Sequence, residues 1–207
     1  MLLGNPNLDV RKVNRAIDEL MEVTTNPRHR FMLEAYYRHR FLEMAGRYSE
    51  IFAADMTVEN PVYHFNAGNY DAALSGGENV KGFYALWAQT SQSIFYMENE
   101  QVSVADNFIA SVSDMYQQTH GQTLKANGIE VEDENAYYLM RMPGLQMFWP
   151  YDERARLIGE DVWEPNPQAR TLTKLAPTEV LTTEECGKLL APLIRPLRSF
   201  DDILQAA

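Results

Sequence analysis

The chain has 207 residues, a hydrophobic content of 45% and a formal net charge of -11. That length supports one substantial core, with or without appendages, and no apolar run is long enough to cross a bilayer. The excess of acid over Lys and Arg excludes the concentrated basic surface on which nucleic-acid binding depends.

Met1 to Asp9 lacks the basic region and continuous apolar core of a signal peptide, so a soluble cytoplasmic protein is the expectation. From Asn7 or Asp9, either of which can cap a helix, Val10, Val13, Ile17, Leu20 and Met21 trace one helical face ending before Asn26-Pro27. A second, amphipathic helix carries Phe31, Tyr37, Phe41 and Met44 near helical spacing, with Gly46 as its C′ residue. Tyr36 and Arg40 lie four apart on it and share a face, with His39 between them. A guanidinium beside an inward phenol can lower its pKa or bind an anionic oxygen. A plain core tyrosine and an arginine tied to a carboxylate fit the same spacing.

A short helix with Ile51 and Phe52 leads into Thr57 to His64, which alternates like a strand. Pro61 cannot donate to a ladder, so the strand lies at an edge or contains a bulge. Asn60 and His64 have equal parity and are expected on one face, with Glu59 on the other. His64 titrates near neutrality and suits acid–base work in a cavity; a strand-end histidine bonded to a loop carbonyl is the competing reading. Asn66 to Gly77 reads as an irregular loop over a mouth. The helix after it, about Glu78 to Phe95, places Phe83 and Trp87 on one face, as core or as cavity lining.

Strands near Glu98 to Ala105 and Phe108 to Leu124 follow, turning at Asp106-Asn107. On the second, Ala110, Val112, Asp114, Tyr116, Gln118 and His120 share a face that mixes apolar and reactive groups as a pocket wall does. Asp114 can then orient a histidine or act as a base, or be a solvated residue if the faces are reversed. Asn127-Gly128 signals a hairpin turn, and Glu130 to Glu134 an acidic loop or ribbon. Tyr137 to Met142 resumes as a strand, Pro143-Gly144 suggests a bulge, and Met147, Trp149 and Tyr151 share parity as an aromatic wall. After Glu164 five prolines break the chain, at Pro165, Pro167, Pro177, Pro192 and Pro196. Thr182 with Glu185, and Ser199 with Asp202, are capping pairs for two short helices in this tail, which covers the sheet or a partner subunit. The lone Cys186 cannot form an internal disulfide and reads as a packing residue.

The run Ile51-Phe52-Ala53-Ala54-Asp55-Met56-Thr57-Val58-Glu59-Asn60-Pro61-Val62, followed by Gly76-Gly77-Glu78-Asn79-Val80-Lys81-Gly82-Phe83-Tyr84, resembles a known superfamily. It contains the ketosteroid isomerases, polyketide cyclases and scytalone dehydratases, the nuclear-transport-factor-2-like proteins, and the resemblance covers roughly Phe31 to Glu164. It implies an α+β fold in which a cone-shaped, curved mixed sheet wraps around a long helix. Residues 1–27 and 165–207 would then be helical extensions of a single domain whose cone is 28–164.

Counting back without gaps from Asn60-Pro61, Tyr36 falls where ketosteroid isomerases place their oxyanion-binding tyrosine. Asn60 departs from that pattern, because an amide cannot take the proton that the family's aspartate takes. The second isomerase acid would fall near Met147. The candidate catalytic set is Tyr36, Arg40, His64 and Asp114, with Asn60, Trp87, Tyr116, His120, Met147, Trp149 and Tyr151 contacting substrate. Four scattered histidines show no metal-ligand spacing, and nucleotide-binding glycine patterns are missing, so no metal and no cofactor are expected.

In scytalone-dehydratase-like members, tyrosine, histidine and aspartate assist loss of a hydroxyl. The terminal helices and the missing isomerase carboxylates resemble, more narrowly, the diarylpropane lyases of lignin-dimer catabolism. That likeness implies loss of a benzylic hydroxyl through a quinone methide, with release of formaldehyde to leave a stilbene. A dehydratase or double-bond isomerase on a polyketide-like or steroid-like substrate, and a non-catalytic binding module, remain as alternatives. The expected partners are a small aromatic substrate and further copies of the chain, as a homodimer or homotrimer.

Overall fold

The structure is a computed structural model that describes residues 5 and 7–205. The reading of Met1 to Asp9 falls in part on residues 1–4 and 6, outside the described residues. Asp9 caps a 3-10 turn at Val10–Lys12 by accepting from Arg11 N–H, and helix α1 follows at Arg15–Val23. Ile17 and Met21 are its buried residues, and Val10 and Val13 before it are buried as well.

The long helix α2 spans Pro27–Met44, with Pro27 at its first position and Asn26 accepting from the Arg28 and His29 N–H groups. It ends in a Schellman motif: Gly46, at φ +69°, donates to Glu43 O while Arg47 donates to Leu42 O. Twelve of its eighteen residues are buried, so the one-faced amphipathic helix expected from sequence is covered on every side. The sheet closes over one side. On the other lie α1, helix α5 (Thr183–Leu190) and helix α6 (Phe200–Gln205), with Phe200 edge-on to Phe31 at 5.3 Å. The tail's helices therefore pack on α2, and both capping pairs form, Thr182 with Glu185 and Ser199 with the Asp202 N–H.

The sheet is curved, mixed and open, in the order β2-β1-β6-β5-β4-β3. These strands are β1 (Thr57–Ala67), β2 (Tyr70–Ser75), β3 (Phe95–Ala105), β4 (Phe108–His120), β5 (Tyr137–Pro150) and β6 (Leu157–Trp163). A short β7 (Thr171–Lys174) pairs with the first half of β5, and its polar sequence carries no alternating signal. Helix α3 (Gly77–Gln89) lies between β2 and β3, and α4 (Gly121–Ala126) follows β4.

Two local expectations are corrected. Asn66 to Gly77 is a hairpin, β1 with β2, rather than an irregular loop: Gly68 at φ +63° makes the turn and the two strands pair from Val62 to Ser75. Asn127-Gly128 caps α4 instead of joining two strands. The positive φ that a hairpin turn needs is also what a helix C′ residue needs, and Gly128 at φ +75° supplies it there.

Bulges set which residues face inward. β1 has partners on both sides, so Pro61 is accommodated by the register shift between Thr57 and Val62. The facing strand must make room for that bulge, and a Cβ on Gly159 would sit 1.9 Å from Val62 O. Further shifts fall in β3 at Asn99, which has φ +53°, and in β5 at Pro143-Gly144. No helix of the described residues is long and apolar enough to cross a membrane.

Gly159→Ala is therefore expected to lower stability by about 2–4 kcal/mol through overpacking against the β1 backbone. A urea midpoint equal to the parent's would contradict this.

Candidate active site

The concave face of the sheet, α2 and α3 enclose a cavity of about 460 Å³. Its sheet wall is rich in thioethers. Met97, Met115 and Met142 stand in direct cross-strand register across β3, β4 and β5, and Met140 and Met147 flank them. The helical wall is aromatic, with Phe83 and Trp87 4.4 Å apart between ring centroids.

At the buried end lies an ion pair. Arg40 Nη1 donates to Glu100 Oε2 at 2.8 Å and Nη2 to Glu100 Oε1, and both side chains are almost wholly buried. Simple alternation would turn Glu100 outward with Glu98, but the Asn99 bulge rotates it to the inside. Arg40 also donates to the Tyr36 hydroxyl, and its guanidinium lies 4.4 Å from that ring centroid. Burial nevertheless dominates at Tyr36, whose phenol is raised above its ordinary range despite Arg40. Tyr36 packs edge-on beneath Trp149 at 4.4 Å and sits behind the cavity wall, not in it.

Two further acids reach the cavity: Glu43 near the end of α2 and Glu160 on β6, 8% and 5% exposed. Burial pushes the Glu160 carboxyl up to about 8, with Arg40 pulling it down and Asp161 pushing it further up. Burial and the neighbouring Glu160 raise Glu43 well above the carboxylate range. Beside them His39 is driven down to about 3 by burial and by Arg40, so its ring is neutral; its Nε2 pairs with the Tyr84 hydroxyl at 2.9 Å. Tyr63, the direct register partner of Glu160, is wholly buried and packs edge-on to Tyr84. These groups form a buried acid chamber in which burial favours the protonated form of both carboxyls.

The sequence-derived residues divide between the two sides of the sheet. Arg40, Trp87, Met147 and Trp149 line the cavity; Tyr36 and Tyr151 are buried behind it. His64 and Asn60 face out, a correction caused by the β1 bulge, which puts Tyr63 and Phe65 inside. His64 Nδ1 bonds Asp161 Oδ1 at 2.6 Å with both side chains more than half exposed, across the sheet from the chamber.

The faces of β4 are likewise reversed. Met115, Gln117 and Thr119 line the cavity, whereas Asp114 and Tyr116 lie on the outer face with Arg141 and Glu98. Asp114 accepts from Gly144 N–H at 3.0 Å and from Arg141, locking the β5 bulge. Burial pushes that carboxyl up, but those donors outweigh it and hold it below the ordinary range. His120 caps α4 by accepting from Gln122 N–H and packs on Tyr137, away from the cavity lining. Glu43, Glu160, Glu100 and Tyr63 were not singled out by the sequence. The three glutamates look like surface residues until helix burial and the bulges are known.

Compared with protein-family models and with curated proteins, the sequence matches none. Solved structures do match. One described as a SnoaL-like polyketide cyclase, from Shewanella putrefaciens CN-32, aligns with a TM-score of 0.50 at 7% identity, over 74% of this chain and 91% of the other. The chain has the nuclear-transport-factor-2-like, SnoaL-like fold. Another SnoaL-like polyketide cyclase, from Jannaschia sp. CCS1, gives a TM-score of 0.47 at 14% identity over 68% of this chain and 89% of the other. A protein of Anabaena variabilis ATCC 29413 described as nuclear-transport-factor-2-like gives 0.47 at 10% identity over 68% and 93%. At these identities the shared feature is the fold alone.

Breaking the buried pair through Glu100→Gln is expected to cost about 3–5 kcal/mol, because the Arg40 charge is left uncompensated. The double variant Arg40→Met/Glu100→Leu is expected to recover most of that loss, and chemical denaturation of the three variants checks both. A second expectation concerns pH. Folding raises the Glu160 pKa, so between the ordinary carboxyl range and about 8 the native state keeps a proton that the unfolded chain has released. Stability is thus fullest in acid and declines as pH rises through that window. Glu160→Gln should remove this penalty, making the variant about 2–4 kcal/mol more stable than the parent at pH 8. The two should converge near about pH 4; a constant difference at all pH values would contradict the assignment.

Proposed function

We propose that this chain is a cofactor-independent enzyme that removes a hydroxyl group from an aromatic, largely apolar small molecule, with Glu160 as the proton-transfer group. One observation carries the reading: a buried carboxyl, pushed up to about 8 by its burial, lines the inner end of a largely apolar cavity. Departure of hydroxide is unfavourable, and departure of water is not, so a buried acid is the required equipment.

In the forward step the Glu160 O–H gives its proton to a benzylic hydroxyl as the carbon–oxygen bond breaks and water leaves. An aromatic oxygen para to that carbon spreads the resulting positive charge. Glu160, now a carboxylate, takes a proton back. Taken from the adjacent carbon, it leaves an alkene and the reaction is a dehydration. Taken from the hydroxyl of a CH₂OH group borne by that adjacent carbon, it lets the bonding pair between the two become the new carbon–carbon double bond, releasing formaldehyde and leaving a stilbene. Either route returns Glu160 to its starting state. The second is the diarylpropane cleavage to which the sequence resemblance points, and the chamber serves it through Glu160 rather than through His64 or Asp114, both of which lie outside the cavity.

A double-bond isomerase is the second reading, because a carboxyl that titrates near neutrality can also take a proton from one carbon and return it to another. Asn60 plays no part in that route, since it faces out.

The test is turnover of a phenolic diarylpropanediol, following formaldehyde and the stilbene chromophore. Glu160→Gln should lower kcat on the order of a hundredfold to ten-thousandfold, and His64→Ala should leave it unchanged. Because the acid form is the active one, kcat/KM should fall as pH rises above about 8. Full activity in Glu160→Gln would end the proposal. A shifted double bond in an unsaturated ketone, without loss of water or aldehyde, would favour the isomerase.

A further inference from the structure

The cavity has a lopsided charge inventory. Two arginines line it, and each is already matched by a glutamate in a two-point contact: Arg40 by Glu100 and Arg170 by Glu164. Glu43 and Glu160 also line it and have no such match. Among the described residues no hydrogen bond joins either carboxyl to another side chain or to the backbone, and His39 Nε2 stands 4.0 Å from Glu43, beyond hydrogen-bond reach. Both glutamates are more than nine-tenths buried. Among the described residues, Thr119 Oγ1 in the same lining is a buried polar atom without a partner, as are Arg40 Nε and Trp149 Nε1. Around these groups stand the rings of Phe65, Phe83, Tyr84, Trp87 and Trp149.

We propose that this cavity binds an arylalkyl ammonium ion, with its charged nitrogen held between Glu43 and Glu160 and its ring against Phe83 and Trp87. The inference rests on reading this cavity as the functional site, and not on the reaction assigned to it. Two carboxyls buried in one cavity oppose each other's ionisation, as Glu160 does at Glu43, and a cation between them offsets that opposition and donates to both. The flanking aromatic faces add cation–π attraction in a poorly solvated space. A neutral alcohol can offer only a hydrogen bond. An anion meets two acids and no unmatched guanidinium, so the site should reject it.

The groups that face the two acids leave this balance intact. From α2 come His39, held neutral, and Arg40, neutralised by Glu100. From β1, α3 and the end of β5 come the Tyr63, Tyr84 and Tyr151 phenols, all raised by burial. Asp161, on the far side of β6, adds negative potential. The same pattern suits positive charge building on a carbon as its hydroxyl departs.

Three indoles of one shape and different charge form the test: tryptamine, tryptophol and indole-3-acetate, titrated calorimetrically into the full chain at neutral pH. Tryptamine should bind at least about tenfold more tightly than tryptophol, with no measurable heat from indole-3-acetate. The variant Glu43→Gln/Glu160→Gln keeps shape and loses charge; it should bind tryptophol like the parent and tryptamine no better. Equal binding of amine and alcohol, no binding of either, or an amine preference that survives in the double variant would each overturn the proposal. Hydroxyl elimination without amine preference would leave the proposed reaction standing and remove the ammonium site; amine preference without any elimination would do the reverse.

Discussion

Everything inside this molecule is arranged around the buried contact of Arg40 with Glu100. It joins the central helix to the edge strand β3, and it does so where no water can share the charge. A guanidinium in that position is tolerable only with a bidentate partner, and the partner arrives only because the chain bulges at Asn99. The pair then has a second effect. By consuming its own cation internally, it leaves Glu43 and Glu160 without one, so burial decides their protonation. A structural ion pair and a reactive acid are thus two outcomes of a single arrangement of charge.

The helix that carries Arg40 can hold polar groups so deep because it is enclosed from two directions. The sheet supplies a concave wall and the terminal helices supply the opposite cover, with Phe200 seated on Phe31. An isolated helix with His39, Arg40 and Glu43 in successive turns would present them to solvent. Here the cost of burying them is offset by the apolar area that α1, α5 and α6 remove from water. The terminal helices α1, α5 and α6 therefore contribute to the chemistry of the chamber even though they do not line it.

Much of this was legible in the sequence, and the limits have a common cause. Asn26-Pro27 marked the close of α1, Gly46 the end of α2, Thr182 with Glu185 the start of α5, and Pro143-Gly144 a bulge, because capping and turn chemistry are local. The family resemblance also led to the right fold. Facing direction was harder to read. In β1 the bulge sent His64 to the solvent and Tyr63 to the interior, and in β4 the mixed polar face turned out to be the outer one. A period of two carries no label for which side is in. Glu43 and Glu160 were invisible for a related reason: a glutamate has the same letter on a solvated surface as in a cavity, and only the enclosing elements separate the two.

The row of methionines in register across β3, β4 and β5 gives the chamber a different character on its sheet side. Unbranched thioethers have three rotatable bonds and a polarisable sulfur, so they change shape at little cost. Where branched aliphatic residues would cast a fixed mould, this wall can yield to guests of unlike outline while the acids and the paired arginine stay in place. Tolerance of the carbon skeleton and strictness about charge are thereby assigned to opposite ends of one hollow.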